Sequence, residues 1–225
     1  EAAGMTEGTN RTFAVIGLGT FGGTVAADLA RFGNRVLGID FDEARVGQLA
    51  DALAEAVIAD ARDEDALEEA GVGGYDVALI AIGERLEAAV LATMNVKLLG
   101  VPCVWVKATE RTHHRIMVKL GADRVIEPER EIGRHIAQML HNPLVRDYVS
   151  LGNGFHIVDV RVPKALDGAR LAELDVAGRF ELRCLGVMRG PHFLEATDAE
   201  VRLEADDMLL LLGRRQELRA FADSL

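Results

Sequence analysis

Short apolar runs alternate with amphipathic segments through the first part of the chain. Val77 to Ile82 is apolar at every position, as expected of a strand that helices cover on both faces. Between such runs, apolar residues recur every three to four positions, as one buried helical face requires; Phe21, Val25, Leu29 and Phe32 are an example, and Gly33 is a plausible stop. The alternation predicts an α/β fold with a six-stranded, doubly wound parallel Rossmann sheet. Strands are expected at 13–16, 35–39, 56–59, 77–82, 104–106 and 124–126, and the later helices at 43–53, 64–70, 86–99, 112–120 and 132–141.

The pattern changes after residue 141. Asn142-Pro143 ends a helix, because proline lacks the N–H and restricts the residue before it. Phe155 to Val162 then alternates with a period of two, which indicates a strand with one buried face. We predict a tail at 1–11, disordered and polar, a Rossmann domain at 12–142, a connector or hinge at 143–154 and a small α+β module at 155–225. The module's expected elements are a helix at 169–174, strands at 182–188, 192–194 and 208–212, and a last helix from 216.

A glycine-rich turn follows the first predicted strand, in the pattern G-x-G-x-x-G. Gly17 allows the tight turn, Gly19 lets the backbone approach a pyrophosphate, and Gly22 lets the helix lie close to the strand. Asp40 stands 18 residues beyond Gly22, where a carboxylate can accept hydrogen bonds from ribose hydroxyls and would repel a 2'-phosphate. The residues predict a dinucleotide or nucleotide site that disfavours NADP. The alternative is a turn with a purely structural role.

Composition and charge narrow the classes of partner. The formal net charge of −11 argues against nucleic acid and anionic lipid, since both would be repelled. No apolar stretch approaches the roughly 20 residues that cross a bilayer, so we expect a soluble chain. Cys103 and Cys184 both stand in apolar runs, which favours buried thiols over a disulfide or metal pair.

Several segments together resemble one family, the cytoplasmic RCK subunits of potassium-uptake systems, which are the Ktr and Trk regulatory proteins. The resemblance covers nearly everything from Phe13 onward. It implies an RCK N-terminal Rossmann domain followed by an RCK C-terminal module. In the first domain it rests on 15–23, 81–83, 105–108, the pair His113-His114 and 121–129, and in the second on 166–168, 171–174 and 206–213.

The resemblance implies an adenine nucleotide as ligand: ATP, ADP, NAD or NADH. The site residues that it assigns are Gly17, Leu18, Gly19, Thr20, Phe21 and Gly22 for the phosphates, Asp40 for the ribose, Phe41 as a further cofactor-binding residue, Asp60, Ala61, Ala81, Ile82 and Gly83 near the base, and Lys107 as a point charge for a phosphate. The alternative for Lys107 is a solvated surface residue at the end of a strand. Glu129 matches an acid that in some relatives helps bind a divalent cation, Mg or Ca, at the dimer interface; the alternative is that it only favours a helix N-terminus. Many relatives carry a basic residue where this chain has Thr20, so discrimination between ATP and ADP is in question.

The resemblance also implies partners and a location. It predicts homodimers that assemble into an octameric ring under a potassium-conducting membrane subunit, at the cytoplasmic face of the cell membrane. A second effector, cyclic di-AMP, is known in the C-terminal module of some relatives, although no motif here marks it. The expected function is ligand-dependent gating without catalysis. The alternative is an NAD-dependent oxidoreductase, which would need an acid or base over the nicotinamide; beyond the glycine loop the sequence supplies no such constellation.

Overall fold

A computed structural model of the chain describes residues 11–83, 85–141, 144–197 and 201–225. The expected tail, apart from Arg11, and the Asn142-Pro143 helix end lie outside the described residues. The chain divides into two compact units, one ending at Arg130 and the other beginning at Glu131. Among the described residues, no helix has both the length and the hydropathy that a membrane span needs.

The first unit is built on a six-stranded sheet in the order β3-β2-β1-β4-β5-β6, and every pairing in it is parallel. The predicted doubly wound sheet is confirmed. Its strands are β1 (Thr12–Ile16), β2 (Arg35–Asp40), β3 (Glu55–Ile58), β4 (Val77–Ile80), β5 (Cys103–Lys107) and β6 (Arg124–Ile126). The helices are α1 (Thr20–Arg31), α2 (Glu43–Leu49), α3 (Glu64–Glu69), α4 (Leu86–Leu98) and α5 (Arg111–Lys119). The next helix, α6 (Pro128–His141), begins in the first unit, and most of it belongs to the second.

Both faces of this sheet are covered, which explains why its strands are apolar without alternation. Ile16 of β1 packs on one side in a cluster with residues of α3, α4 and α5. Val15, its neighbour in the chain, packs on the other side with residues of α1 and α2. Since successive side chains of a strand point to opposite faces, a sheet between two layers of helices needs apolar residues at every position.

One residue of the expected helical stripe is not buried. Phe32 was assigned to the buried face of α1, but the helix ends at Arg31 and Phe32 is 75% exposed. The backbone of Phe32 has already left the helical conformation, with ψ near 2°, and Gly33 follows at φ +86°. The helix therefore ends one residue earlier than its apolar period suggests, and the predicted stop at Gly33 matches its left-handed backbone.

The second unit contains an antiparallel sheet in the order β10-β9-β11-β8-β7. Val160 and Leu209 pair across two of its strands and are fully buried, together with Phe221 from the last helix. The elements are β7 (Val145–Gly152), β8 (Phe155–Arg161), α7 (Val176–Phe180), β9 (Arg183–Arg189), β10 (His192–Glu195), β11 (Met208–Arg214) and α8 (Arg215–Ala222). The helix expected at 169–174 is only a short 3₁₀ turn at Leu171–Leu174.

The predicted boundary region needs correction. The segment 143–154, expected to be a connector, contains β7, which forms a hairpin with β8 through Gly152, Asn153 and Gly154, all at positive φ. The units also divide after Arg130, within α6, whereas the Rossmann domain was expected to extend to 142. Periodicity missed β7 because most of its residues are exposed, so no buried face is visible in the sequence.

Candidate functional site

A cavity of about 790 Å³ lies where the strands of the first sheet end. Its walls come from the carboxyl ends of the strands β1 to β5, from the segments after them, and from α1, α2, α4 and the first turn of α6. β1 and β4 are neighbours at the point where the strand order reverses, the place where open α/β sheets bind ligands. The predicted site residues that line it are Gly17, Gly19, Thr20, Phe21, Asp40, Phe41, Asp60, Ala61, Ala81, Ile82, Gly83, Lys107 and Glu129.

Leu18 and Gly22 are the two predicted site residues that do not line the cavity. Leu18 is buried in the core cluster beneath α1 and α2. At Gly22, a Cβ atom would collide with the carbonyl oxygen of Gly17 and lie 2.8 Å from the Cβ of Ala81. These two residues therefore shape the loop from inside, and Gly22 has the packing role that the motif predicts.

The glycine loop leaves room for a ligand on its outer side. Gly17 has φ +96°, which favours glycine, and its N–H donates to the carbonyl oxygen of Ile39 at 2.7 Å. A Cβ on Gly19 would meet only the Arg45 guanidinium, at 3.9 Å. Gly19 is also the N-cap of α1 and offers no capping side chain, so the first N–H groups of the helix suit an anion.

Asp40 supports the loop as well as facing the cavity. Its carboxylate is almost fully buried and accepts the Leu18 N–H at 2.7 Å and the Asp42 N–H at 3.0 Å. Arg45 Nη1 lies 3.4 Å from the same carboxylate. Asp40 thus joins the end of β2 to the glycine loop, a structural role that the motif alone did not reveal.

Two arginines in the cavity wall were missed by the sequence analysis. Arg45 is about half exposed in α2, and Arg85, the N-cap residue of α4, places its guanidinium carbon 4.4 Å from the centre of the Phe41 ring. Phe41 is itself 53% exposed and presents an aromatic face. The position of Arg45 one turn into the helix after Asp40 was a usable signal, whereas the contact of Arg85 with Phe41 depends on the fold.

Asp60 is already partnered. Arg62 Nε lies 3.0 Å and 2.9 Å from the two carboxylate oxygens, and these hydrogen bonds hold the pKa of Asp60 below its ordinary value. Asp60 is therefore ionised at neutral pH. It lines the cavity as a hydrogen-bond acceptor near the end of β3.

Lys107 and Glu129 form an ion pair in the cavity wall, with Nζ to Oε1 at 2.5 Å. The hydrogen bond from Lys107 lowers the pKa of Glu129. Lys107 is mostly buried, and its ammonium lies 5.5 Å from the centre of the Phe21 ring. Within the described parts of the chain, no group of three or more His, Cys, Asp or Glu side chains is arranged to hold a metal ion. The metal role of Glu129 stays a prediction.

Comparison with known proteins places the chain in a family. The TrkA-N domain model matches residues 13–128 and the TrkA-C domain model matches 155–225. The Ktr system potassium uptake protein A of Bacillus subtilis (strain 168) is 34% identical over 212 residues, which are 94% of this chain and 96% of that protein. The protein of the same name from Vibrio alginolyticus is 35% identical over 209 residues, 93% of this chain and 95% of the relative.

Among solved structures, the GsuK channel bound to NAD is similar in fold, with a TM-score of 0.65 at 15% identity. The match covers 96% of this chain and 40% of the channel chain. The relatives that match over nearly their whole length are potassium-uptake proteins rather than enzymes. On its two domain matches and these identities, the chain belongs to the family of Ktr and Trk potassium-uptake regulatory subunits.

Proposed function

We propose that this chain is a nucleotide-binding gating subunit, which binds an adenine nucleotide in the first unit and changes conformation to control a separate potassium-conducting membrane subunit. The observation that carries the proposal is the cavity at the switch point, where the glycine loop and nearly all of the predicted site residues come together. Gating then requires that the nucleotide bind more tightly to one arrangement of the subunit than to another, typically by roughly 1 to 3 kcal/mol.

The cavity suggests how a nucleotide would lie. Its phosphates would occupy the outer side of the loop at Gly19 and Thr20, near Lys107. The adenosine would lie towards Phe41, whose exposed ring and neighbouring Arg85 offer a stacking surface. Asp60 and the 81–83 segment complete this end. The cavity volume of about 790 Å³ is within the usual range for small-molecule sites.

Cations in the wall bear on which nucleotide binds. Thr20 supplies no charge, but Arg45 lies next to Gly19, so a phosphate on the loop would have a cation nearby. We propose NAD, NADH, ADP and ATP as candidate ligands; the similar GsuK channel was solved with NAD. Asp40 would accept a ribose hydroxyl through the lone pairs that its protein partners leave free.

The oxidoreductase alternative has no support in the cavity. Among its described lining residues there is no His, Tyr or Cys, and the groups left as acid or base are held by other residues. Asp40 accepts backbone N–H groups, Asp60 accepts from Arg62, and Lys107 pairs with Glu129. The closely related chains are potassium-uptake proteins. A regulator that binds nucleotide without consuming it fits both observations.

The direct test is titration calorimetry with ATP, ADP, NAD and NADH, each with and without magnesium or calcium, on wild type and on Asp40→Asn. We expect at least one nucleotide to bind, and its affinity to fall about tenfold or more in the variant, because a charged hydrogen bond and the loop geometry are lost together. Asp51→Asn, at an exposed position outside the cavity wall, is the matched control. Absence of binding by all four nucleotides would overturn the proposal.

Assembly belongs to the same proposal. We propose homodimers in an octameric ring at the cytoplasmic face of the membrane, with Glu129 near a divalent cation at the dimer interface. Light scattering with and without nucleotide measures the ring, and potassium flux in vesicles containing the membrane subunit measures gating. Cyclic di-AMP as an effector of the second unit stays a prediction.

A further inference from the structure

The second unit has a cavity of its own, of about 420 Å³, enclosed by α6, β7, β8 and α8. Its polar lining consists of Arg134, Gln138 and His141 from α6, Tyr148 from β7, and Arg215 and Arg219 from α8. The remaining wall is apolar. No part of the proposed nucleotide site uses these residues.

Positive charge is concentrated around this cavity although the chain as a whole carries a formal net charge of −11. Within the described ranges, neither Arg134 nor Arg215 forms an ion pair. Arg219 pairs with Asp223 at 3.5 Å, but both side chains are 63% exposed, so this pair is weak. Three arginines thus line one cavity, and among the described residues only Arg219 has a carboxylate partner.

Two buried polar side chains lie at this cavity without a hydrogen-bond partner among the described residues: Tyr148 lines it, and His156 stands behind Tyr148. The buried Tyr148 hydroxyl makes no hydrogen bond of good geometry with the described residues. Burial raises its pKa, and the nearby Gln138 side chain lowers the pKa by a smaller amount. His156 stacks on the Tyr148 ring at 4.6 Å, and its Nδ1 atom is also buried without a partner. Burial and then the charge of Arg215 lower the pKa of His156, so Arg215 stands near this pair. Among the described residues, the Tyr148 hydroxyl therefore keeps its O–H available as a donor to a ligand in this cavity.

We propose that this cavity binds a small multivalent anion with phosphate or carboxylate groups, held by Arg134 and Arg215 and by the hydroxyl of Tyr148. Guanidinium groups suit both kinds of oxyanion because their planar N–H donors match two oxygens at once. The volume admits a molecule of metabolite size. Val145 and Leu218 in the wall would contact its carbon skeleton.

The test uses pyrophosphate and citrate as probes, titrated into the full chain by calorimetry. Comparison of the two separates a phosphate preference from a carboxylate preference. We expect Arg134→Gln and Arg215→Gln each to weaken the better probe about tenfold or more, and the double variant to abolish binding at this cavity, since each removes a charge-assisted hydrogen bond. Arg146→Gln is the matched control: Arg146 is exposed on β7 near Tyr148 but does not line the cavity.

Pyrophosphate and citrate are anions that also fit the glycine loop, so hydrogen exchange is needed to show at which cavity they bind. Protection should rise in the amides of β7 and α8 in wild type and in Arg146→Gln, and not in the double variant. Unchanged protection there in wild type, or equal protection in a folded double variant, would overturn the proposal. If the double variant does not fold, Tyr148→Phe decides: weaker binding supports the site, and unchanged binding of both probes overturns it.

Discussion

His113 shows what burial does to a single titratable side chain. It lies in α5 with 2% exposure, and its Nε2 atom has no hydrogen-bond partner among the described residues. Burial lowers its pKa, outweighing the nearby charge of Glu110. The folded state therefore keeps His113 neutral at a pH where the unfolded chain already binds a proton.

This predicts a loss of stability in weak acid. As pH falls below about 6.5, the ordinary histidine value, the unfolded state takes up a proton that folded His113 resists, so the free energy of unfolding decreases by at most about 1.4 kcal/mol per pH unit. His113→Gln should lose this component. Urea unfolding at about pH 7 and about pH 5.5 measures it, with His192→Gln at an exposed position as control. An unaltered pH dependence in His113→Gln would contradict the assignment.

Gly22 gives a second prediction for one residue. A methyl group there would meet the Gly17 carbonyl oxygen, a backbone atom that cannot move aside cheaply. Gly22→Ala should therefore cost about 1 to 3 kcal/mol of stability and weaken nucleotide binding as the loop shifts. Gly47→Ala is the contrasting variant: Gly47 lies in α2 with open space around it, so alanine should stabilise by roughly 0.5 to 1 kcal/mol. Thermal unfolding of the two variants should move in opposite directions.

At the scale of elements, the ion pair between Arg189 and Asp207 stabilises the start of β11. Asp207 is 3% exposed, accepts from Arg189 of β9 at 3.0 and 2.7 Å, and also accepts the Glu204 N–H at 2.8 Å. Burial alone would raise the pKa of Asp207, but the hydrogen bonds from Arg189 and Glu204 lower it overall. The pair therefore joins the end of β9 to the turn that directly precedes β11.

Asp207→Asn should destabilise the second unit by about 1.5 to 3 kcal/mol at neutral pH, because charged hydrogen bonds to a buried carboxylate are lost, although Arg189 keeps its pair with Glu204 at 2.7 Å. The stabilisation is present above the unfolded aspartate pKa of about 3.9 and disappears as pH falls through the lower folded value. Asp206→Asn, at the exposed neighbouring position, should change stability by less than about 0.5 kcal/mol. Equal unfolding curves for the two variants would refute this account.

Elements with two covered faces were predictable, and elements with one weakly buried face were not. The six parallel strands were found because an apolar run such as the one around β4 is typical of a strand that helices cover on both faces. β7 was missed, since only Val145 and Tyr148 in it are even half-buried. The 3₁₀ turn at Leu171–Leu174 has helical spacing but too few residues to continue.

The candidate site divides in the same way. The glycine loop and Asp40 were found because their spacing along the chain reflects local geometry. The hydrogen bond from the Leu18 N–H to Asp40 and the position of Arg85 over Phe41 depend on how distant segments meet. Contacts between distant segments produce no periodic pattern in a single sequence, so they could not be predicted from it.

For the whole molecule, separate cores predict separate responses to a ligand. The buried clusters of the first unit do not share residues with that of the second. A nucleotide at 100 times its dissociation constant should add about 2.7 kcal/mol to the stability of the first unit. Hydrogen exchange should show this gain in β1 and α1, and little in β11. Equal protection of both units would indicate that they unfold together.

In the first cavity, Glu129 pairs with Lys107 and would compete with a ligand's phosphate for the Lys107 ammonium. If the proposed nucleotide binds here, its phosphate would share the Lys107 ammonium with the Glu129 carboxylate. If the proposed cation binds Glu129, the ammonium would be free to contact the phosphate. Calcium and NAD should then each tighten the other's hold by the same factor, since such linkage is reciprocal. Glu129→Gln should remove the mutual effect and leave NAD bound as if calcium were always there.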